Sequence, residues 1–352
     1  MIKTLFTRLV DAIKKIKNKG FIVGVIVGMS VILVALFMIG VQYSAALYYH
    51  TWTRVGSFNA LQNAVRLDPK SDLYQRDMSQ AIIAVADQVL AGAQTQQEFN
   101  TQLQVAASAA IDAAMRATQN NSSDARNWAN RGSVYSFFIS LVGGADTAAQ
   151  DSYEKAISRD PQNPQYYLDR ANTFIRSADL NAAQERVSAQ KENLDQAQKD
   201  IEKAIALKPD YQPALLGRMR LALKNKDTDL AENTARSIMS YYPQDMQAAI
   251  NIALVYAKVG YSERALALAQ DIVRIAPSYV DGRYVLGLLY NARGDRTRAL
   301  SQFEELEKMD LKNAHIILIT ENLRAGKDAL DGGIVSVFGD IPRLEPIVEK
   351  KK

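Results

Sequence analysis

The chain has 352 residues, 48% of them apolar and 23% charged, with a net charge of +4. Such a composition belongs to an ordered chain longer than one ordinary domain, so two domains or an elongated array are expected. Cysteine is absent, which excludes disulfides, zinc–thiolate sites and cysteine nucleophiles, and the two histidines, His50 and His315, are too far apart in sequence to suggest a metal site or a triad.

Residues 1–20 carry Lys3, Arg8, Lys14, Lys15, Lys17 and Lys19 against the single anion Asp11, and the chain closes with Glu349-Lys-Lys-Lys352. The basic excess therefore belongs to the two ends, and a large nucleic-acid footprint is not expected. Within the first segment Ile2, Leu5, Phe6, Leu9, Ile13 and Ile16 follow helical spacing. This reads either as an amphipathic helix lying on an anionic inner leaflet or as a solvated extension of the apolar run that begins at Phe21.

Phe21 to Gln42 contains no charged residue, and the uncharged stretch continues through Tyr49. About 20 apolar residues span a bilayer core as a helix, so 21–49 is read as one transmembrane helix. Tyr43, Tyr48, Tyr49 and Trp52 come next as an interfacial aromatic belt. Secretory signals have shorter apolar regions, although Tyr43-Ser-Ala-Ala46 offers small residues for cleavage. A mitochondrial presequence fits poorly with the long apolar run. Six cations precede the span and only Arg54 lies close after it, so the N-terminus is expected in the cytoplasm of a single-pass protein of the cell membrane.

Residues 50–122 read as atypical repeats. Ser57, Leu61 and Ala64 before Pro69 resemble a second helix whose first helix emerges from the span, and 72–93 and 97–119 read as two long Ala-rich helices. From 123 to 313 the punctuation is periodic. Pro209, Pro243 and Pro277 are spaced by 34 residues, and one further period reaches Leu311 in a diverged version of the same corner. Proline ends a helix because its ring blocks continuation and it lacks a donor.

A period of 34 with two helices per unit resembles the tetratricopeptide-repeat family. Leu286-Gly287, Tyr290, Ala299 and Phe303 match its pattern in the clearest unit. Tyr256 with Ala265, Ala231, Tyr167 with Ala171 and Phe174, and Trp128 with Gly132 and Tyr135 open or fill others, with Met219 where Gly is usual. About six units are counted. Small residues let the paired helices approach and large ones fill the gap between units, which must stack because one unit cannot bury its own face. The fold expected is therefore all-α: an α-solenoid of tetratricopeptide-type helix pairs preceded by one transmembrane helix. The interval from Pro161 to Pro209 exceeds one period by 14 residues, a surplus placed at 177–193 as longer helices or a protruding loop. A capping helix is expected over 314–330 and a flexible tail over 331–352, including the apolar stretch Ile334–Phe338. The span leading into Asn59–Pro69, the two long helices and Asn127-Trp-Ala-Asn-Arg-Gly132 also resemble the repeat tails of bacterial O-antigen-polymerase-like proteins. The polymerase activity is not carried over to a chain with one span.

There is no phosphate loop, no Gly-x-Ser-x-Gly elbow and no His-Glu-x-x-His, so neither catalysis nor a cofactor is expected. Glu304, Glu305 and Glu307 are close carboxylates placed by helical spacing on a solvated face. What remains is recognition. In the resembled family the concave surface is lined by the first helices. Carried over, this implies a groove of Arg126, Phe137, Leu168, Asn172, Arg176, Leu216, Arg220, Lys224, Leu254, Lys258, Tyr284 and Asn291. The same positions include Ser133, Ile175, Ile250 and Leu288. Such a groove would be apolar with a basic row, suited to protein or peptide ligands that include acidic ones. Lysine at these places also serves solubility alone. The function expected is a membrane-anchored scaffold for an envelope complex of polysaccharide, secretion or pilus machinery, with a chaperone-like holder of exported clients as the alternative. An organelle import receptor shares the plan but faces the cytosol.

Overall fold

The computed structural model describes residues 19–91, 96–309, 313–332 and 336. The amphipathic segment before residue 19 and most of the expected tail lie outside the described residues. Among the described residues there are fifteen α-helices and no strand. Contact density divides the chain into two compact units, Met1–Val134 and Tyr135–Lys352.

The first unit begins with α1 (Lys19–Val55), 37 residues without a break. Its apolar side chains point outward: Val31 is 62% exposed, Leu33 64% and Phe37 72%. Beyond Gln42 the same helix becomes part of a packed pair. Ala45 is buried, and Tyr49 and Trp52 pack with Leu61, Met78 and Ala81. The helix therefore does not stop at 49, where the expected span closes. It continues to Val55 as the first helix of the first pair. Gly56 (φ +68°) turns the chain, and Ser57 caps α2 (Phe58–Leu67) by accepting from Ala60 N. Then come α3 (Asp72–Ala91) and α4 (Gln96–Asn120), a pair much longer than its neighbour. The unit ends within α5 (Ala125–Phe137).

The second unit opens with the end of α5 and with α6 (Ala145–Arg159), and its pairs are α7 (Pro164–Ala183) with α8 (Val187–Leu207), α9 (Gln212–Lys224) with α10 (Thr228–Tyr241), α11 (Met246–Lys258) with α12 (Ser262–Ile275), and α13 (Val280–Ala292) with α14 (Arg296–Lys308). The last helix, α15 (Ala314–Arg324), packs on α14. Local chemistry sets these boundaries. Helices α8, α10 and α12 each stop two residues before Pro209, Pro243 or Pro277. Side chains of Asn163, Asp227, Asp245, Asp295 and Asn313 accept from the first free N–H groups of the helices they precede. The surplus of 14 residues is taken up by lengthening α7 and α8 rather than by a long loop.

One backbone position repeats with the period. Gly260 (φ +90°) and Gly294 (φ +80°) come after α11 and α13 in the left-handed conformation that ends a helix. Lys226, 34 residues before Gly260, holds the same place with φ +61°. The final helix ends earlier than the expected 330, because Gly326 (φ +74°) breaks it and Asp328 caps a short turn by accepting from Leu330 N.

Two buried clusters fill this unit, one of Tyr167, Leu168, Ile175, Ile201 and Leu221 from α7, α8 and α9, and a longer one beyond it. Leu215, Met219, Ile238, Leu289, Phe303 and Ile319 belong to one buried cluster running from α9 to α15. Close approach within a pair is visible at Gly287, where an added Cβ would stand 2.7 Å from the Phe303 ring.

Candidate partner-binding surface

Helices α7, α9, α11 and α13 lie side by side, each touching the next, and carry most of the groove positions. Three cations on α7 and α9 are brought together. Arg176 donates from Nη1 to the Ser136 carbonyl at 3.0 Å. Arg220 donates from Nη2 to Asn172 Oδ1 at 3.0 Å. Lys224 pairs with Asp179 at 2.5 Å. The residue separations in the last two contacts, 48 and 45, are one period plus all or most of the surplus, so a spacing of 34 does not reveal them.

Arg220 is the unusual member. Its Nε is buried without a hydrogen-bond partner. Burial holds its guanidinium below the ordinary arginine range, opposed in part by the nearby Asp179, with a lesser push in the same direction as burial from the charge of Arg176. A desolvated cation with a spare donor next to a second cation favours an incoming anion. Lys258, on α11, is exposed and has no ion pair among the described residues.

The other implied positions are placed differently. Leu168, Leu254 and Tyr284 are buried at 4%, 8% and 4% exposure, and Leu216 packs against the core. Tyr284 bonds His315 Nε2 at 2.8 Å and meets the Phe303 ring edge-on. Phe137 lies edge-on to Phe138. Asn291 is occupied by the turn after α15, donating to Asp328 Oδ1 at 3.1 Å and accepting from Ala329 N at 3.2 Å. Arg126 belongs to the first unit, paired with Asp124 at 2.7 Å. Of the implied positions on α7, α9 and α11, the cations Arg176, Lys224 and Lys258 are exposed, whereas the apolar ones are buried or half-buried. The apolar residues expected there face inward, because neighbouring first helices pack on one another and cover them.

A sequence model of the tetratricopeptide repeat matches residues 186–211, which are α8 and the corner at Pro209. This segment of the chain therefore matches a tetratricopeptide repeat. Solved structures similar to the chain include a tetratricopeptide-repeat protein from Parabacteroides merdae at 16% identity, covering 82% of this chain and 98% of that one with a TM-score of 0.49. A repeat protein from Thermus thermophilus is 21% identical over 52% of this chain and 91% of its own, with a TM-score of 0.39. YrrB, described as having an unusual peptide-binding site, is 18% identical over 60% of this chain and 99% of its own, with a TM-score of 0.32. No curated protein matches the chain.

Two features of the chain escaped the sequence. Arg170 on α7 grips Asp200 on α8 through two bonds of 2.7 and 2.8 Å, with Asp200 buried. An open groove of about 530 Å³ between α10 and α12 has Arg264 at its wall, paired with Glu232 at 2.6 Å and lying over the rings of Tyr256 and Tyr261. Neither shows a periodic signal, since each depends on one pair or one repeat step alone.

Proposed function

We propose that this repeat protein is a single-pass membrane scaffold. Its array projects outside the cytoplasm and holds an acidic segment of an envelope-assembly partner along α7, α9 and α11. The underneutralised Arg220, with Arg176 and Lys224 beside it, carries the acidic-ligand reading. The anchor is supported by the outward-facing apolar residues of α1 and by the cations before it. Cleavage near Ala46 is disfavoured, because it would cut through α1 beside the buried Ala45 and strip the first pair of its helix. A polar recognition surface favours a defined partner over the broad apolar cradle of a general client holder. Anchoring would raise the local concentration of partners and strengthen weak contacts.

The test is in-cell photo-crosslinking from Lys258, which is exposed, with mass spectrometry of the captured chains. Tyr284 is unsuited to this because it is buried. Capture of one or two envelope proteins through acidic segments, reduced severalfold by Arg220→Ala with Lys224→Ala, is expected. Undiminished capture in the double variant refutes the acidic-ligand reading. Capture of many unrelated exported chains favours the chaperone-like alternative, and capture of cytosolic proteins overturns the topology.

A further inference from the structure

The first helix pair fixes how the first unit meets the bilayer. Helix α1 passes without a break from the apolar run into the packed repeat. At 1.5 Å per residue, a hydrocarbon core of about 30 Å entered near Phe21 is left near residues 40–42. Only three residues past Gln42, Ala45 is already 1% exposed.

After Gly56, α2 runs back along α1. Its ten residues return the chain by about 14 Å, to roughly the level of Ala46. The start of α3 gives the same height independently. Tyr74 stacks on Tyr49 with ring centroids 4.6 Å apart, and Tyr49 donates to Asp77 at 2.7 Å. Three residues before Tyr74, the chain is again level with residue 46. Both routes place the 68–71 turn about 6–9 Å outside the hydrocarbon boundary, at the outer edge of a polar layer roughly 5–7 Å thick on each side and within reach of long Arg and Lys side chains. Helix α4 returns to the same height, since Asn120 donates to the Pro69 carbonyl at 3.0 Å.

The charges at that height are sorted. Asp72 accepts from Asn121 Nδ2 at 3.3 Å and Asn127 Nδ2 at 2.7 Å, which turn its carboxylate toward α4 and α5 while leaving it charged. Asp124 is taken up by Arg126 and Arg76. Asp68 is partly buried at the end of α2. Arg66 and Lys70 are exposed and have no ion pair among the described residues.

We propose that the 66–71 turn is a lipid-headgroup contact in which Arg66 and Lys70 bind the phosphates of anionic lipids. The contact would set the first unit edge-on to the bilayer. The proposal rests on the reading of α1 as a membrane span.

The absence of cysteine makes single-site nitroxide labels simple. The full chain, carrying Lys70→Cys, Val105→Cys or Leu33→Cys, is reconstituted into vesicles of equal parts phosphatidylcholine and phosphatidylglycerol with a trace of nickel-chelating lipid. Relaxation by headgroup nickel should be severalfold stronger at position 70 than at position 105, while the label at position 33 responds to oxygen and not to aqueous reagents. Equal relaxation at 70 and 105 with a bilayer-buried label at 33 overturns the headgroup contact and leaves the span standing. A label at 33 open to water overturns both. In the Arg66→Glu, Lys70→Glu variant the preference for spin-labelled phosphatidylglycerol over phosphatidylcholine should fall at least twofold, and an unchanged preference overturns the phosphate contact.

Discussion

Replacing Asp169 with Asn should make α7 and α8 more stable at neutral pH and leave them nearly unchanged in acid. The carboxyl of Asp169 accepts from Gln165 Nε2 at 2.6 Å. Burial pushes it from an ordinary 3.8 up to about 6, and the Gln165 bond offsets only part of that. A shift of roughly two pH units corresponds to about 3 kcal/mol against the charged form, and partial exposure to water lowers this to about 1–3 kcal/mol. The folded state thus binds the proton more tightly than the unfolded chain does. The stabilisation this gives is fully present below about pH 4 and is lost as pH rises through about 6. Asn cannot ionise, so the variant should gain about 1–3 kcal/mol over the natural chain near pH 7.5 and little near pH 4.5. Urea unfolding of the full chain in detergent micelles, with hydrogen exchange at the amides of α7 and α8, reads both numbers. A variant advantage that is the same at both pH values, or a loss at pH 7.5, refutes the reasoning.

Gly287→Ala should destabilise α13 and α14 by about 1–2 kcal/mol, because the new Cβ meets a fully buried Phe303 ring at 2.7 Å and overpacking outweighs the gain in helix propensity. Thermal unfolding followed by circular dichroism measures it. Lys226→Gly should instead stabilise by up to about 1 kcal/mol, since it relieves a left-handed residue at the place where Gly260 and Gly294 already stand. The same assay checks it, and a loss of stability would show that the φ of Lys226 is not strained. Asp200→Ala should cost about 2–4 kcal/mol by leaving Arg170 desolvated without its partner, with Asp200→Asn costing less. Faster amide exchange confined to α7 and α8 is the expected signature.

The repeat was legible because its signals are local. Helix-ending prolines, capping Asp and Asn residues and paired small and large residues act within one turn of where they stand, so a linear reading finds them. Met219 shows the tolerance of that code, being fully buried where the pattern has Gly. The long α3, α4, α7 and α8 were also foreshadowed by the intervals between prolines. The groove was read less well. Leu168 and Tyr284 have the right spacing for a concave face, yet the packing of one first helix on the next turns them inward. Asn291 was lost to the turn after α15, whose early stop at Gly326 no periodicity announced.

By itself, therefore, the sequence determined the helix pairs, their period and the apolar run that precedes them, because propensity, capping and hydrophobic spacing are properties of neighbours along the chain. Tertiary structure alone decided which cations stay unsatisfied. Arg220 finds Asn172 and Arg176 across a repeat step, Lys224 finds Asp179 45 residues away, and Arg66 and Lys70 form no ion pair among the described residues. The net charge around a side chain depends on what folding brings within a few ångströms of it, and that distance is not written in the spacing of the residues.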